Sequence, residues 1–200
     1  MNTVAIVQAR MGSTRLPKKV MKEINSVPMI GLLLNRLSKS KRISKIVLAT
    51  SKEDSNKPLI DYVNSTGIPV ECGSEDNVLE RFYKVAKKYK AEIIVRITGD
   101  CPLVDPKIVD SVIEKFISNN VDYASNVNPP TFPDGMDVEV ISFSSLEKAH
   151  MKSKDKFDLE HVTPFIRRNE KKQFNLSYKE DFSELRWTVD EYKDFKVVEK

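Results

Sequence analysis

Arg10, Arg15, Lys18 and Lys19 surround Gly12 and Ser13 in the string QARMGSTRLPKKV, Gln8 to Val20. Cations set among small residues suit a phosphate. Gly12 lets the backbone approach an oxyanion, Ser13 and Thr14 add hydroxyl and amide donors, and guanidinium groups grip phosphate oxygens in bidentate fashion. Lys19 adds a mobile point charge. The plain alternative is a solvated basic loop.

Acids supply the complementary chemistry. In Ile97-Thr98-Gly99-Asp100-Cys101-Pro102-Leu103, Asp100 follows an apolar run and needs a partner or a cation if it is buried there. Mg²⁺, which takes one or two carboxylates together with substrate phosphates, is one such cation. Capping of the following helix is the other reading. Asp190 in RWTVDEYKD also closes a short apolar run, and its plain reading is a helix N-cap. In FPDGMDVEV, alternation puts Asp137 and Glu139 on one face, beside Asp134 and Gly135. Those acids suit sugar hydroxyls, a second cation or solvent. His161, after Glu160, is either a ligand contact or a structural histidine. Ser74 or Asp76, ahead of Asn77 and Arg81, reads as an N-cap.

The elements that must hold these residues alternate. Thr3 to Val7 reads as a strand buried on both faces, so a ligand at its carboxyl end meets the basic turn first. Pro28 opens a helix carrying Met29, Ile30, Leu33, Leu34 and Leu37, and Ile43 to Thr50 is a second strand. Ser51 to Ser55 caps a helix that Gly67 stops, Ile68 to Glu71 is a third strand, and Val78, Leu79, Phe82, Val85 and Ala86 line the next helix. Glu92 to Thr98 (strand), Pro106 to Ser118 (helix) and Asp122 to Ser125 (strand) follow. A proline-rich loop from Asn126 to Gly135 turns into a strand, Met136 to Ile141. Residues 142 to 151 and 157 to 168 read as helical, 172 to 178 as extended, and Arg186 to Val189 as a last strand. Alternating strands and helices imply a mostly parallel central sheet between helical layers, a three-layer α/β/α fold.

Composition narrows the partners. The 200 residues suit a single domain spanning 1–200. The formal net charge of +4 hides an asymmetry: residues 1–50 hold ten Lys or Arg against Glu23 alone, whereas residues 51–150 hold eleven basic against seventeen acidic. A basic start and an acidic middle fit a triphosphate beside a cation or polyol better than nucleic acid. Cys72 and Cys101 form no metal-binding pair, Arg10 interrupts any signal-like stretch, and no run is long enough for a membrane span. The expected compartment is the cytoplasm.

The basic loop resembles the ARxGSxRLPGK-type signature of the sugar cytidylyltransferases, the group of CMP-KDO and CMP-acylneuraminate synthetases. The nearest branch is the spore-coat polysaccharide biosynthesis type. GDCPLVDP, PDGMDVEV, EHVTPF and WTVDEYKD resemble further motifs of that group, in order over roughly residues 4 to 194. The resemblance implies a nucleotide-diphospho-sugar transferase-like fold and a Mg²⁺-dependent transfer of CMP from CTP to a sugar or sugar acid, for cell-surface polysaccharide synthesis. It implies Arg10, Lys19 and Asp100 as catalytic, with Asp100 and Asp190 holding the metal. Gln8, Ala9, Arg10, Gly12, Ser13, Thr14, Arg15 and Lys19 would bind nucleotide, together with Asp76, Asn77, Arg81, Thr98 and Gly99. Asp134, Gly135, Asp137, Glu139, Glu160 and His161 would bind the acceptor. Two departures stand out: Lys18 replaces the glycine before the motif lysine, making the loop stiffer and more basic, and Leu159 replaces an arginine. Family members commonly run on past this C-terminus, which implies a curtailed last helix, and a homodimer is compatible with the pattern. A glycosyltransferase of related fold and a non-catalytic nucleotide-binding domain are the rival readings.

Overall fold

Val4, Ala5, Ile6 and Val7 are completely buried, as a β-branched run must be when it lies between two helical layers. They belong to strand β1 (Thr3–Gln8) of a computed structural model that describes all residues, Met1–Lys200. A short hairpin, β2 (Glu23–Ile24) and β3 (Val27–Pro28), leads into α1 (Met29–Leu37). Then come β4 (Lys45–Ser51), α2 (Lys57–Ser65), β5 (Val70–Gly73), α3 (Val78–Lys88), β6 (Ile93–Thr98), α4 (Pro106–Ser118) and β7 (Tyr123–Ser125). The chain continues through β8 (Glu139–Ser142), α5 (Phe143–Lys152), α6 (Lys156–His161), α7 (Pro164–Asn169), β9 (Gln173–Asn175) and α8 (Tyr192–Glu199).

Seven strands form one sheet in the order β5-β4-β1-β6-β8-β7-β9. β5, β4, β1 and β6 are mutually parallel, β8 runs antiparallel to both β6 and β7, and β9 is parallel to β7. Alternation along β1 sends Ala5 and Val7 to a core shared with α1, α2 and α4. Val4 and Ile6 enter a second core with α3, α5 and α7. The sheet is thus covered on both faces, as expected. A small third core joins Leu16 of the basic loop to Ile24, Met29, Val189 and Phe195, tying the hairpin and α8 to that loop.

Three local expectations are corrected, and one element was not foreseen. The hairpin at 23–28 was not legible because its turn, Asn25-Ser26, has both residues at positive φ without the glycine that usually marks such turns. The helix expected over 157–168 breaks into α6 and α7, because Pro164 has no N–H to continue the ladder. Val162 turns the chain there at φ 70°, with Thr163 N–H donating to His161 O at 2.8 Å. Arg186 to Val189 is not a strand: Trp187 and Thr188 donate to Asp134 O while Val189 donates to Asp100 O, so two loops share its hydrogen bonds and no ladder forms. Finally, the N-cap of α3 is Asn77, whose Oδ1 accepts from Glu80 N–H at 2.9 Å, and neither Ser74 nor Asp76.

Candidate active site

β1 and β6 are paired through Gln8 and Thr98, and the loops leaving their carboxyl ends build the site. Gly99 N–H donates to Gln8 O at 2.8 Å, and a Cβ on Gly99 would stand 2.6 Å from that of Ala9, so only glycine allows the two loops this approach. The basic loop is anchored from below. Met11 N–H donates to the buried Asn56 Oδ1 at 2.8 Å, Leu16 packs into the third core, and Leu16 N–H donates to Ser13 Oγ at 3.3 Å. Lys18, in the left-handed region at φ 57°, turns the chain into the 3-10 turn Lys19–Met21. Gly12, Thr14 and Arg15 stay exposed on the rim.

Lys19 is the centre. Its Nζ donates to Asp100 Oδ2 at 3.2 Å, to Asp190 Oδ1 at 2.9 Å and to Val189 O at 2.8 Å. Ninety residues apart in the chain, the two carboxylates meet one ammonium. Their separation falls within the roughly 8 Å limit beyond which one ion with oxygen ligands at about 2.1 Å could not be shared. Arg15 also reaches Asp190 Oδ1 at 2.9 Å, and Arg186 reaches Asp190 Oδ2 at 2.8 Å. Burial works to raise the Asp190 carboxyl, but hydrogen bonding and charge from Lys19, then Arg15 and Arg186, hold it below the usual range. The segment bearing Asp190 is fastened by Asp194, whose Oδ2 accepts from the Asp190 and Glu191 N–H groups, and by Arg186, which pairs with Asp134 and Asp194.

Next to this cluster lies a polar cavity of about 630 Å³ lined by Arg96, Thr98, Asn128, Asp137, Glu139, His161, Thr163 and Arg167 among others. Asp137 is in none of the hydrogen bonds or ion pairs, and burial, with Asp134 and Glu139 nearby, pushes its carboxyl up to about 6. Glu139 is occupied: it pairs with Arg96 and accepts from Tyr123 Oη at 2.6 Å. His161 lies against Phe157 with the rings tilted at 60° and their centroids 4.4 Å apart. Glu160 is exposed and does not line the cavity. Asp134 and Gly135 do not line it either. They support the 186–190 segment, where a Cβ on Gly135 would stand 2.4 Å from Thr188 N.

The remaining expected residues form a separate edge. Arg10 pairs with Glu75 at 2.8 Å, and buried Arg81 donates to the carbonyls of Ser74 and Glu75. Burial, then Arg10, lowers the Arg81 guanidinium from its ordinary value. Arg81 and Asn77 therefore shape the 74–77 turn, and Asp76 is left exposed at its tip. Sequence reasoning missed Arg96, Arg186, Asn56 and Asp194. Arg96 carried a signal, a cation inside the apolar strand IIVRIT. The others are ordinary polar residues until the fold gives them partners.

Comparison with known proteins agrees with this fold. The cytidylyltransferase family matches residues 4–199. An uncharacterised protein of Methanocaldococcus jannaschii is 40% identical, covering 98% of this chain and 82% of its own length. The spore coat polysaccharide biosynthesis protein SpsF of Bacillus subtilis is 34% identical over 96% of this chain and 83% of its own. A cytidylyltransferase structure from Leptospira borgpetersenii superposes with a TM-score of 0.95 at 33% identity, covering all of this chain and 85% of that one. The chain belongs to the cytidylyltransferase family and is a CTP-dependent nucleotidyltransferase.

Proposed function

We propose that this enzyme transfers CMP from CTP to a sugar or sugar acid, with Mg²⁺, in the synthesis of a cell-surface polysaccharide, and that residues 1–200 act as one nucleotidyltransferase domain. The observation that carries the reading is the convergence of Asp100, Asp190 and Lys19 beside a polar cavity of about 630 Å³. Two carboxylates that share one cation match the hard oxygen donors Mg²⁺ prefers. No third His, Cys, Asp or Glu joins them, so substrate phosphates and water would complete the shell. When bound, Mg²⁺ supplies charge neutralisation and orientation of the triphosphate.

The chain's own residues account for the rest. Arg10 and Arg15 lie on an exposed loop, paired with Glu75 and Asp190, and would turn to the triphosphate; an exposed pair such as Arg10 with Glu75 is worth at most about 1 kcal/mol, so exchange for phosphate is easy. Lys19 would carry the phosphates that leave. The acceptor hydroxyl attacks the α-phosphorus and gives its proton to solvent, the bond from the α-phosphorus to the oxygen bridging to the β-phosphorus breaks, and pyrophosphate departs. No covalent enzyme intermediate is required, because positioning and charge stabilisation dominate such transfers. Asp137 and His161 offer contacts to the acceptor from the cavity wall, and Arg167, in no ion pair, suits an acceptor carboxylate. The name of the Bacillus subtilis relative supports the polysaccharide context. Two free thiols suit the reducing cytoplasm.

The test supplies CTP, Mg²⁺ and a panel of sugars and sugar acids, and measures pyrophosphate with the CMP conjugate. Asp100→Asn should fold normally and lose about 10²-fold or more in turnover. Nucleotide binding without pyrophosphate for any acceptor would favour a binding domain, and consumption of a nucleotide sugar would favour a glycosyltransferase.

A further inference from the structure

We infer that Lys19 keeps the free enzyme closed to divalent metal, and that the nucleotide opens the site by drawing the ammonium onto its phosphates. The inference rests on the metal-dependent reading above. All three donors of the Lys19 ammonium are used, on Asp100 Oδ2, Asp190 Oδ1 and Val189 O, and the side chain is only 13% exposed. An ion ligated by Asp100 Oδ2 and Asp190 Oδ1 at about 2.1 Å would need the space the ammonium fills. Lysine and metal are therefore alternatives at that position.

Charge makes the exchange conditional. Asp190 carries Lys19 and Arg15 on one oxygen and Arg186 on the other, so its charge is neutralised before any ion arrives. Bringing a divalent cation alone into this cluster means stripping a partly buried ammonium from its acids with no anion to receive it, an uncompensated charge in a poorly solvated place. A triphosphate changes that. It gives the flexible lysine stem, and Arg15 at 60% exposure, a stronger anion just beyond the acids. The freed Asp100 Oδ2 and Asp190 Oδ1 then face the ion together with the phosphates. By linkage, nucleotide and metal raise each other's affinity by the same factor, and Lys19 is the residue that transmits it.

The experiment measures Mn²⁺ binding by electron paramagnetic resonance and calorimetry, with the full chain as wild type, Lys19→Gln and Lys19→Arg. Wild type should bind Mn²⁺ weakly alone and at least about tenfold more tightly with CTP present. Lys19→Gln should bind Mn²⁺ without nucleotide about tenfold more tightly than wild type, and CTP should add less. Lys19→Arg, which keeps the charge, should stay closed, and adding Asp100→Asn to Lys19→Gln should abolish the gain. Circular dichroism establishes that each variant is folded. The inference is overturned if folded Lys19→Gln alone binds no better than wild type alone, or if wild type binds Mn²⁺ as well without CTP as with it. In those two cases CTP-supported Mn²⁺ binding leaves the metal-dependent reading standing. Absence of Mn²⁺ uptake even with CTP overturns both.

Discussion

Lys18 holds φ 57° where the family pattern has glycine, so the turn demands a left-handed residue and this chain meets it with a lysine. An L-residue pays about 1–2 kcal/mol for that conformation, whereas glycine adopts it freely. Lys18→Gly should leave the melting temperature unchanged or raise it, the gain offset in part by glycine's larger entropy loss. Lys18→Val should lower stability by more than about 1 kcal/mol in denaturant titration, because β-branching makes positive φ worse. Asp137 gives a pH signature. Its carboxyl titrates near 6 in the folded chain, above the ordinary 3.8, so the native state holds its proton longer than the unfolded state does. Stability conferred by that proton is present at low pH and is lost as pH rises through the folded value. Asp137→Asn should therefore stabilise the protein at about pH 8 and have little effect near pH 4, while weakening acceptor binding. Equal stabilisation at both pH values, read by thermal melts, would remove the burial argument.

Among the elements, the irregular segment 186–190 carries most consequence for so little regular structure. It is held by backbone hydrogen bonds to Asp134 and Asp100 and by the branching ion pairs of Arg186. Gly135, at φ 106° with Thr188 N in the place a Cβ would take, is the point where the 134–137 turn fits under it. Gly135→Ala should displace the segment, cost more than about 1 kcal/mol in stability, and depress turnover far beyond that loss because Asp190 moves. The combined reading is denaturant titration with steady-state kinetics. A variant with wild-type kinetics would mean that Asp190 is positioned by other contacts. The break between α6 and α7 lets two short helices line the cavity, His161 from the end of α6 and Pro164 and Arg167 from α7.

At the scale of the molecule, one sheet divides two cores and collects its loops at one edge. Open parallel sheets bind ligands there because the loops leaving neighbouring strands diverge around a crevice. No helix is long and apolar enough to cross a membrane. The separation of the cores can be measured on a single strand, since Ile94 faces the core of α3 and α5 and Ile97 faces that of α1 and α4. Ile94→Val and Ile97→Val should each cost about 0.5–1.5 kcal/mol, and the double variant should equal their sum within about 0.5 kcal/mol. A larger coupling in chemical denaturation would show that strain passes through the sheet.

The sequence by itself determined the alternation of strands and helices, the burial of β1, and the clustering of cations in the loop that follows it, because those follow from local periodicity and from residue types. It also placed Asp100 and Asp190 after apolar runs, although the local pattern left a helix cap open for Asp100 and supported one equally well for Asp190. Only the tertiary structure decided that the two acids share the Lys19 ammonium, that Glu139 is already paired with Arg96 and Tyr123, and that Asp134 and Gly135 brace the 186–190 segment. Each is a meeting of residues distant in the chain, and such meetings depend on which strands lie side by side. Local pattern carries no term for that order. It is set by the packing of two cores against one sheet.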